Sequence, residues 1–211
     1  MQIIEFTPAQ ASAVANLPLR TVHKLIERRL IRPQLRRIGR SLQRMLTREQ
    51  LLYLRLEAKG VRLLPMSARR ALAKKIEKSP EIDVMCLTKD SALVIEVKST
   101  RQELDQDLKK LQRAEGMVVS DPDIMRGSPV YRGTRILVQL VADMLSQGAT
   151  PEEIVEGYPS LDKEKVTLAP FYVQAFPRRG RPVARPWAKA EPIRATRHRR
   201  ALAGDIEILD R

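Results

Sequence analysis

The sequence predicts a mainly α chain with small β elements. It reads as an N-terminal winged helix-turn-helix, a β-hairpin and helix connector, a three-helix C-terminal domain of helix-turn-helix type, and a disordered basic tail. Three observations predict this. Helix-start signals of the capping-box type recur at Thr7–Gln10, Thr47–Gln50, Thr100–Glu103 and Thr150–Glu153. The β-compatible runs are short and come in pairs. The last part of the chain, rich in Arg and Pro, has no hydrophobic period. The expected domains are residues 1–79, 80–116, 117–176 and 177–211.

Composition narrows the function. Of 211 residues only 4% are aromatic, so any core is small and aliphatic. The net charge of +14 points to a polyanionic or acidic partner. Its placement says more than its total. Residues 1–80 carry net +13, residues 81–176 net −5, residues 177–200 net +8 and residues 201–211 net −2. Two basic blocks around an acidic middle suit two separate anionic partners. The single cysteine, Cys86, excludes an internal disulfide and argues against a cysteine zinc site. Within its apolar run it reads as a small buried hydrophobe. No apolar run approaches the roughly 18 residues of a membrane span, and no signal peptide opens the chain. A cytoplasmic protein with no membrane contact is expected. No cofactor or metal is expected, and no catalysis.

In the first block, Thr7-Pro8-Ala9-Gln10 starts a helix that Asn16 ends. A second helix runs from about Pro18 to Arg29. Val22, Leu25 and Ile26 lie on one face, with Arg20, Thr21, His23, Lys24, Glu27 and Arg28 opposite. Two short helices joined by a tight turn, the second amphipathic and basic, predict a DNA-reading unit. Arg36, Arg37, Arg40 and Arg44 surround Gly39 and suit a two-stranded wing. Thr47 opens a leucine-rich helix, and a further helix is expected over Ser67–Lys78. Arg20, Thr21, His23, Lys24 and Arg28 are the candidate base and phosphate contacts of the second helix. Arg36, Arg37, Arg40 and Arg44 are the candidate phosphate contacts of the wing. The order of elements over Ile4–Lys59, with Phe6-Thr7, Leu19-Arg20-Thr21, Gly39 and the leucine-rich helix, resembles the MerR-type winged helix. His23–Leu25 departs from the aromatic residues of that pattern. Arg29 stands where that family usually carries glycine.

In the middle, Ile82–Leu87 and Ala92–Val97 predict a hairpin. Thr100 and Glu103 predict the start of a helix bearing Leu104, Leu108 and Leu111. That stripe suits ordinary packing better than a dimer contact. Asp83 with Glu96-Val97-Lys98 also fits the pattern of restriction-type nucleases, in which two carboxylates hold Mg²⁺ and lysine orients water. The loose spacing and the short segment make this a third reading only.

Val118–Ile136 is dense in Gly and Pro and specifies a loop. Within it, Arg132-Gly133-Thr134-Arg135 reads structurally: Gly133 at positive φ, Thr134 as a helix cap, the arginines paired with Asp121, Asp123 or Asp143. Helices follow through Ile136–Leu145, from Thr150 to Gly157, and over Leu161–Phe176. Residues 118–176, with Asp121-Pro122, Gly127, Pro129, Arg132–Arg135, Val138, Gly148, Ile154 and Tyr158-Pro159-x-Leu161, resemble the antitoxin family first catalogued as "domain of unknown function 433" and grouped with VapB-type antitoxins. Met125-Arg126 and Leu137 replace that pattern's usual Gly and Pro. The resemblance implies a dimerising core and a PIN-like ribonuclease toxin as partner.

The tail begins at Pro177. Its Arg-Gly-Arg-Pro run resembles the extension that follows this core. Arg178, Arg179, Arg181, Arg185 and Trp187 are the candidate toxin contacts. Arginines can neutralise the carboxylates that hold Mg²⁺ in such a nuclease, and an exposed Trp between arginines suits a binding anchor. The expected function is thus a homodimeric antitoxin that assembles with its toxin and represses its operon through operator double-stranded DNA. A MerR-like regulator without a toxin is the alternative.

Overall fold

The capping box at Thr7 forms as expected. The Thr7 hydroxyl accepts the Gln10 amide, the Gln10 side chain accepts the Thr7 amide, and Pro8 opens α1 (Pro8–Ala15). Asn16 closes α1 in the left-handed region, and the buried Ser12 hydroxyl donates to the Leu17 carbonyl at 2.6 Å across the turn. α2 (Leu19–Glu27) is shorter than the expected Pro18–Arg29. It ends because Arg29 takes φ 56°, so that its amide reaches Ile26 and the Leu30 amide reaches Leu25. β1 (Gln34–Ile38) and β2 (Ser41–Met45) pair antiparallel, and reciprocal bonds between Phe6 and Leu46 tie the hairpin base to the start of the chain.

This computed structural model describes residues 5–39, 41–81, 83–86 and 94–178, with the side chains of Met85 and Cys86 excepted. The expected burial of Cys86 and the expected tail beyond Arg178 lie outside the described residues. α3 (Arg48–Ala58) starts from the Thr47 capping box, a one-turn helix spans Val61–Leu63, and α4 (Met66–Lys78) follows. β3 (Val84–Cys86) pairs with β4 (Val94–Glu96), and α5 (Lys98–Gly116) follows directly. The expected start of α5 is corrected. Thr100 is buried inside its first turn and caps nothing, and Glu103 turns to Lys59 instead. β5 (Val118–Val119) and β6 (Val130–Tyr131) form a third pair. α6 (Val138–Ser146), α7 (Pro151–Gly157) and α8 (Lys163–Ala175) are the last elements among the described residues. The architecture is mainly helical with small antiparallel strand pairs, as the composition and periodicity predicted.

Two apolar clusters hold these elements. The first gathers Val14, Val22, Leu25, Leu51, Leu54, Leu72 and Ile76 from the first four helices, with Leu46 from the base of the hairpin. The second gathers Tyr131, Val138, Val141, Ile154, Leu161 and Val166. α5 and α8 belong to both: Leu104 and Leu111 enter the first and Ala114 the second, while Ala175 enters the first and Ala169 and Tyr172 the second. α8 packs on α1, α5, α6 and α7. The boundaries expected at residues 79 and 116 therefore fall inside one packed unit that runs to Arg178. Leu104 and Leu111 are spent on this intramolecular core, as the packing reading of that stripe expected.

The acidic middle also has an internal partner. On α5, Asp105 accepts from Arg48, Asp107 and Glu103 accept from Arg55, and Glu103 accepts from Lys59. Arg55 also donates to the Val14 carbonyl at 2.7 Å, so one guanidinium joins α1, α3 and α5. Part of the first basic block is thus neutralised within the fold, and the charge layout overstated what is left for partners.

These contacts carry a pH dependence. The Lys59 ammonium bonded to Glu103 holds that carboxyl below its usual range, against a small opposing cost of burial. The Lys165 amide does the same for Asp162 at the start of α8, again against a small cost of burial. A depressed folded value means stabilisation that is complete above the unfolded value, about 4.3 for Glu and 3.9 for Asp, and is lost as pH falls through the folded value. The melting temperature should therefore hold steady from pH 7 to about 5 and fall below about 4. Melting curves at pH 7, 5 and 3 test this; a flat profile down to pH 3 would oppose it.

The loop before β6 carries strain. Met125 (φ 49°), Arg126 (φ 57°) and Gly127 (φ 74°) form one left-handed turn, closed by bonds from the Gly127 amide to Asp121 and Ile124. A left-handed non-glycine residue costs roughly 1–2 kcal/mol, part of which glycine returns as unfolded-state entropy. Met125→Gly and Arg126→Gly should each stabilise by about 0.5–1 kcal/mol in urea unfolding. A loss of stability in either would show that the side chain makes an offsetting contact.

Candidate nucleic-acid interface

α2 presents the cations as its spacing requires. Val22 and Leu25 are buried, while Arg20, Lys24 and Arg28, spaced by four residues, form an exposed stripe on the opposite face. Thr21 and His23 flank the stripe half-buried. No ion pair engages Arg20, Lys24 or Arg28 among the described residues.

The hairpin divides its arginines between two faces. Leu35 opposes Arg44 and Arg37 opposes Leu42, so these four share one face; Gln34, Arg36, Ile38, Ser41, Gln43 and Met45 share the other. The second face turns to the body at its base, where Met45 is buried and Arg36 donates to Glu5 at 2.9 Å. The first face is open: Leu35 and Leu42 are 67% and 66% exposed, and Arg37 and Arg44 have no ion partner among the described residues. Of the expected wing contacts, Arg37 and Arg44 are free for a ligand and Arg36 is committed to Glu5. Arg40 lies outside the described residues.

A second cationic surface was missed by the sequence reading. A groove of about 600 Å³ is lined by Arg29, Leu30, Arg32, Arg70, Ala73, Lys74, Glu77 and Lys78. Arg70, Lys74 and Lys78 follow the same four-residue spacing as the α2 stripe, opposite the buried Leu72 and Ile76. That spacing was legible in the sequence. Its approach to Arg29 and Arg32 was not, because it depends on how α4 packs beside the end of α2.

The remaining expected sites resolve as follows. Arg132 donates from Nε to the Gly116 carbonyl, and Asp121 accepts the Asp123 amide, so neither shows the expected arginine–aspartate pairing. Gly133 takes φ 77°, as expected. Thr134 does not cap a helix. Its hydroxyl donates to the Tyr131 carbonyl and accepts the Ile136 amide, which fixes the turn before α6. The nuclease pattern is not assembled. Val84 opposes Glu96, so Asp83 is one position out of phase with Glu96, and its carboxylate pairs with Arg101 at 2.9 Å. No group of three or more His, Cys, Asp or Glu gathers among the described residues, and none of the described helices is long and apolar enough to cross a membrane. Of the expected toxin contacts, Arg178 is exposed at the end of the described chain; Arg179, Arg181, Arg185 and Trp187 lie outside the described residues.

Residues 118–173 match the model of a protein family of unknown function, DUF433. That match runs from β5 into α8, the segment on which the sequence resemblance rested. A curated relative, "Uncharacterized protein y4eO" of Sinorhizobium fredii (strain NBRC 101917 / NGR234), is 42% identical over 89 residues, which is 42% of this chain. The chain spans only 40% of that relative's own length. Among solved structures, Rv2018 from Mycobacterium tuberculosis aligns over 78% of this chain and 95% of its own, at 17% identity and a TM-score of 0.31, too low to assign a shared fold.

Proposed function

We propose that the chain is an antitoxin. It binds operator double-stranded DNA through α2 and the β1–β2 hairpin, arranged as a winged helix-turn-helix of MerR type, and represses its own operon. It neutralises a PIN-like ribonuclease toxin through its basic C-terminal region. The DNA-binding half is supported by one observation above the others: the Arg20–Lys24–Arg28 stripe and the open Arg37–Arg44 face of the hairpin are cationic, exposed and free of internal ion pairs among the described residues. Cations left unpaired on a helix of this kind meet phosphates and base edges at little reorganisation cost. A homodimer would present two such helices to two half-sites one helical turn apart.

The toxin-binding half is supported by the net +8 of residues 177–200 and by the DUF433 match of the segment before them. Isolating the full chain from its own host, beside a chain ending at Phe176, tests it by intact mass. A stoichiometric small partner that is lost on truncation supports the antitoxin. No partner with either chain, together with retained operator binding, makes it a stand-alone regulator.

A further inference from the structure

The groove between α4 and the segment after α2 is not used by the proposed DNA face. Five cationic residues line it: Arg29, Arg32, Arg70, Lys74 and Lys78. Its one carboxylate, Glu77, accepts from the Gln50 side-chain amide at 3.2 Å, and the same amide donates to the Arg32 carbonyl. None of the five cations has an ion partner among the described residues. The groove therefore holds a net charge of +4 in a volume suited to a small polyanion. Five like charges set against one carboxylate repel one another on balance, and an anionic ligand relieves that repulsion.

Arg29 adds an independent sign. It closes α2 at φ 56°, a position that strongly favours glycine. The chain carries an arginine there at a cost in backbone strain, and that residue lines the groove. We propose that this groove is a phosphate-binding site that takes a run of adjacent phosphate groups, separate from the α2 and hairpin surface. The phosphates come either from a free polyphosphorylated molecule or from the backbone of nucleic acid bound to the chain.

The test uses the full chain and inorganic tripolyphosphate in titration calorimetry. The variant Arg70→Ala/Lys74→Ala/Lys78→Ala removes three exposed cations from one helix face and should bind tripolyphosphate roughly tenfold or more weakly. Arg20→Ala/Lys24→Ala, on the other surface, should bind it as the parent does. Arg29→Gly should weaken binding while raising the melting temperature by about 2–4 °C, opposite signs that a merely structural role would not produce. The source of the phosphates follows from DNA titrations of the triple variant. A shallower salt dependence assigns them to the nucleic-acid backbone, and unchanged DNA binding assigns them to a free polyphosphate. No tripolyphosphate binding by the parent, or equal binding by the folded triple variant, overturns the proposal.

Discussion

Glu57→Ala is expected to destabilise the fold by about 3–5 kcal/mol, the cost of leaving a buried charge without its partner. Glu57 sits almost fully buried on α3, and Arg69 reaches it from α4 with two bonds, Nε to Oε1 at 2.8 Å and Nη2 to Oε2 at 3.0 Å. The Tyr53 hydroxyl also donates to Glu57. Burial, reinforced by the Glu57 charge, pushes the Tyr53 hydroxyl well above its usual range, so it stays a donor at any working pH. Removing the carboxylate strands the Arg69 guanidinium, itself about nine-tenths buried, and leaves the hydroxyl without an acceptor. At roughly 2–4 °C per kcal/mol for a chain of this size, the melting temperature should fall by roughly 6–20 °C. Glu57→Leu/Arg69→Met removes both charges together and should cost much less than either single change, since apolar replacement of a buried pair is often near neutral. Urea unfolding of Glu57→Ala, Glu57→Leu, Arg69→Met and the double variant checks this. A loss under 1 kcal/mol in Glu57→Ala, or additive losses in the pair, would mean that water reaches the network.

Removal of the free cations from the DNA face is the second large effect. Arg20→Ala, Lys24→Ala, Arg28→Ala, Arg37→Ala and Arg44→Ala together should flatten the dependence of log affinity on log salt by about four to five units, at about 0.9 per phosphate contact. At physiological salt this should abolish operator binding. Fold stability should change little, because these side chains make no ion pair among the described residues. Arg36→Ala is the internal control. Its guanidinium is held by Glu5, on the hairpin face that turns to the body, so it should lose far less DNA affinity than Arg37→Ala. Band-shift titrations at several salt concentrations decide it. A quintuple variant with an unchanged salt slope would remove the DNA reading, and an Arg36→Ala loss equal to that of Arg37→Ala would remove the assignment of faces.

Much of the local structure was legible because its causes are local. Thr7, Thr47 and Thr150 cap helices through bonds that span three residues, and any window of the sequence shows them. Thr100 failed by the same logic. Its spacing to Glu103 fits a cap, but the burial of Thr100 and the reach of Lys59 to Glu103 come from packing against α3 and outweigh it. Arg29 and the Met125-Arg126 pair were legible as departures from the patterns the sequence resembles, each of which usually carries a glycine there. That all three adopt the left-handed conformation despite their side chains shows the surrounding turn overriding residue preference.

By itself the sequence determined the helical class, the paired short strands, the cationic stripe of α2 and the Gly- and Pro-rich loop before α6. All of these follow from periods of two or four residues and from backbone preferences within a few positions. Only the tertiary structure decided which charges are free. Arg48, Arg55 and Lys59 face the carboxylates of α5, Arg36 faces Glu5, and Arg70, Lys74 and Lys78 line one groove with Arg29 and Arg32. Those groups lie tens of residues apart along the chain. Charge pairing depends on distance in space, which falls only when α5 and α8 draw both apolar clusters into one packed unit.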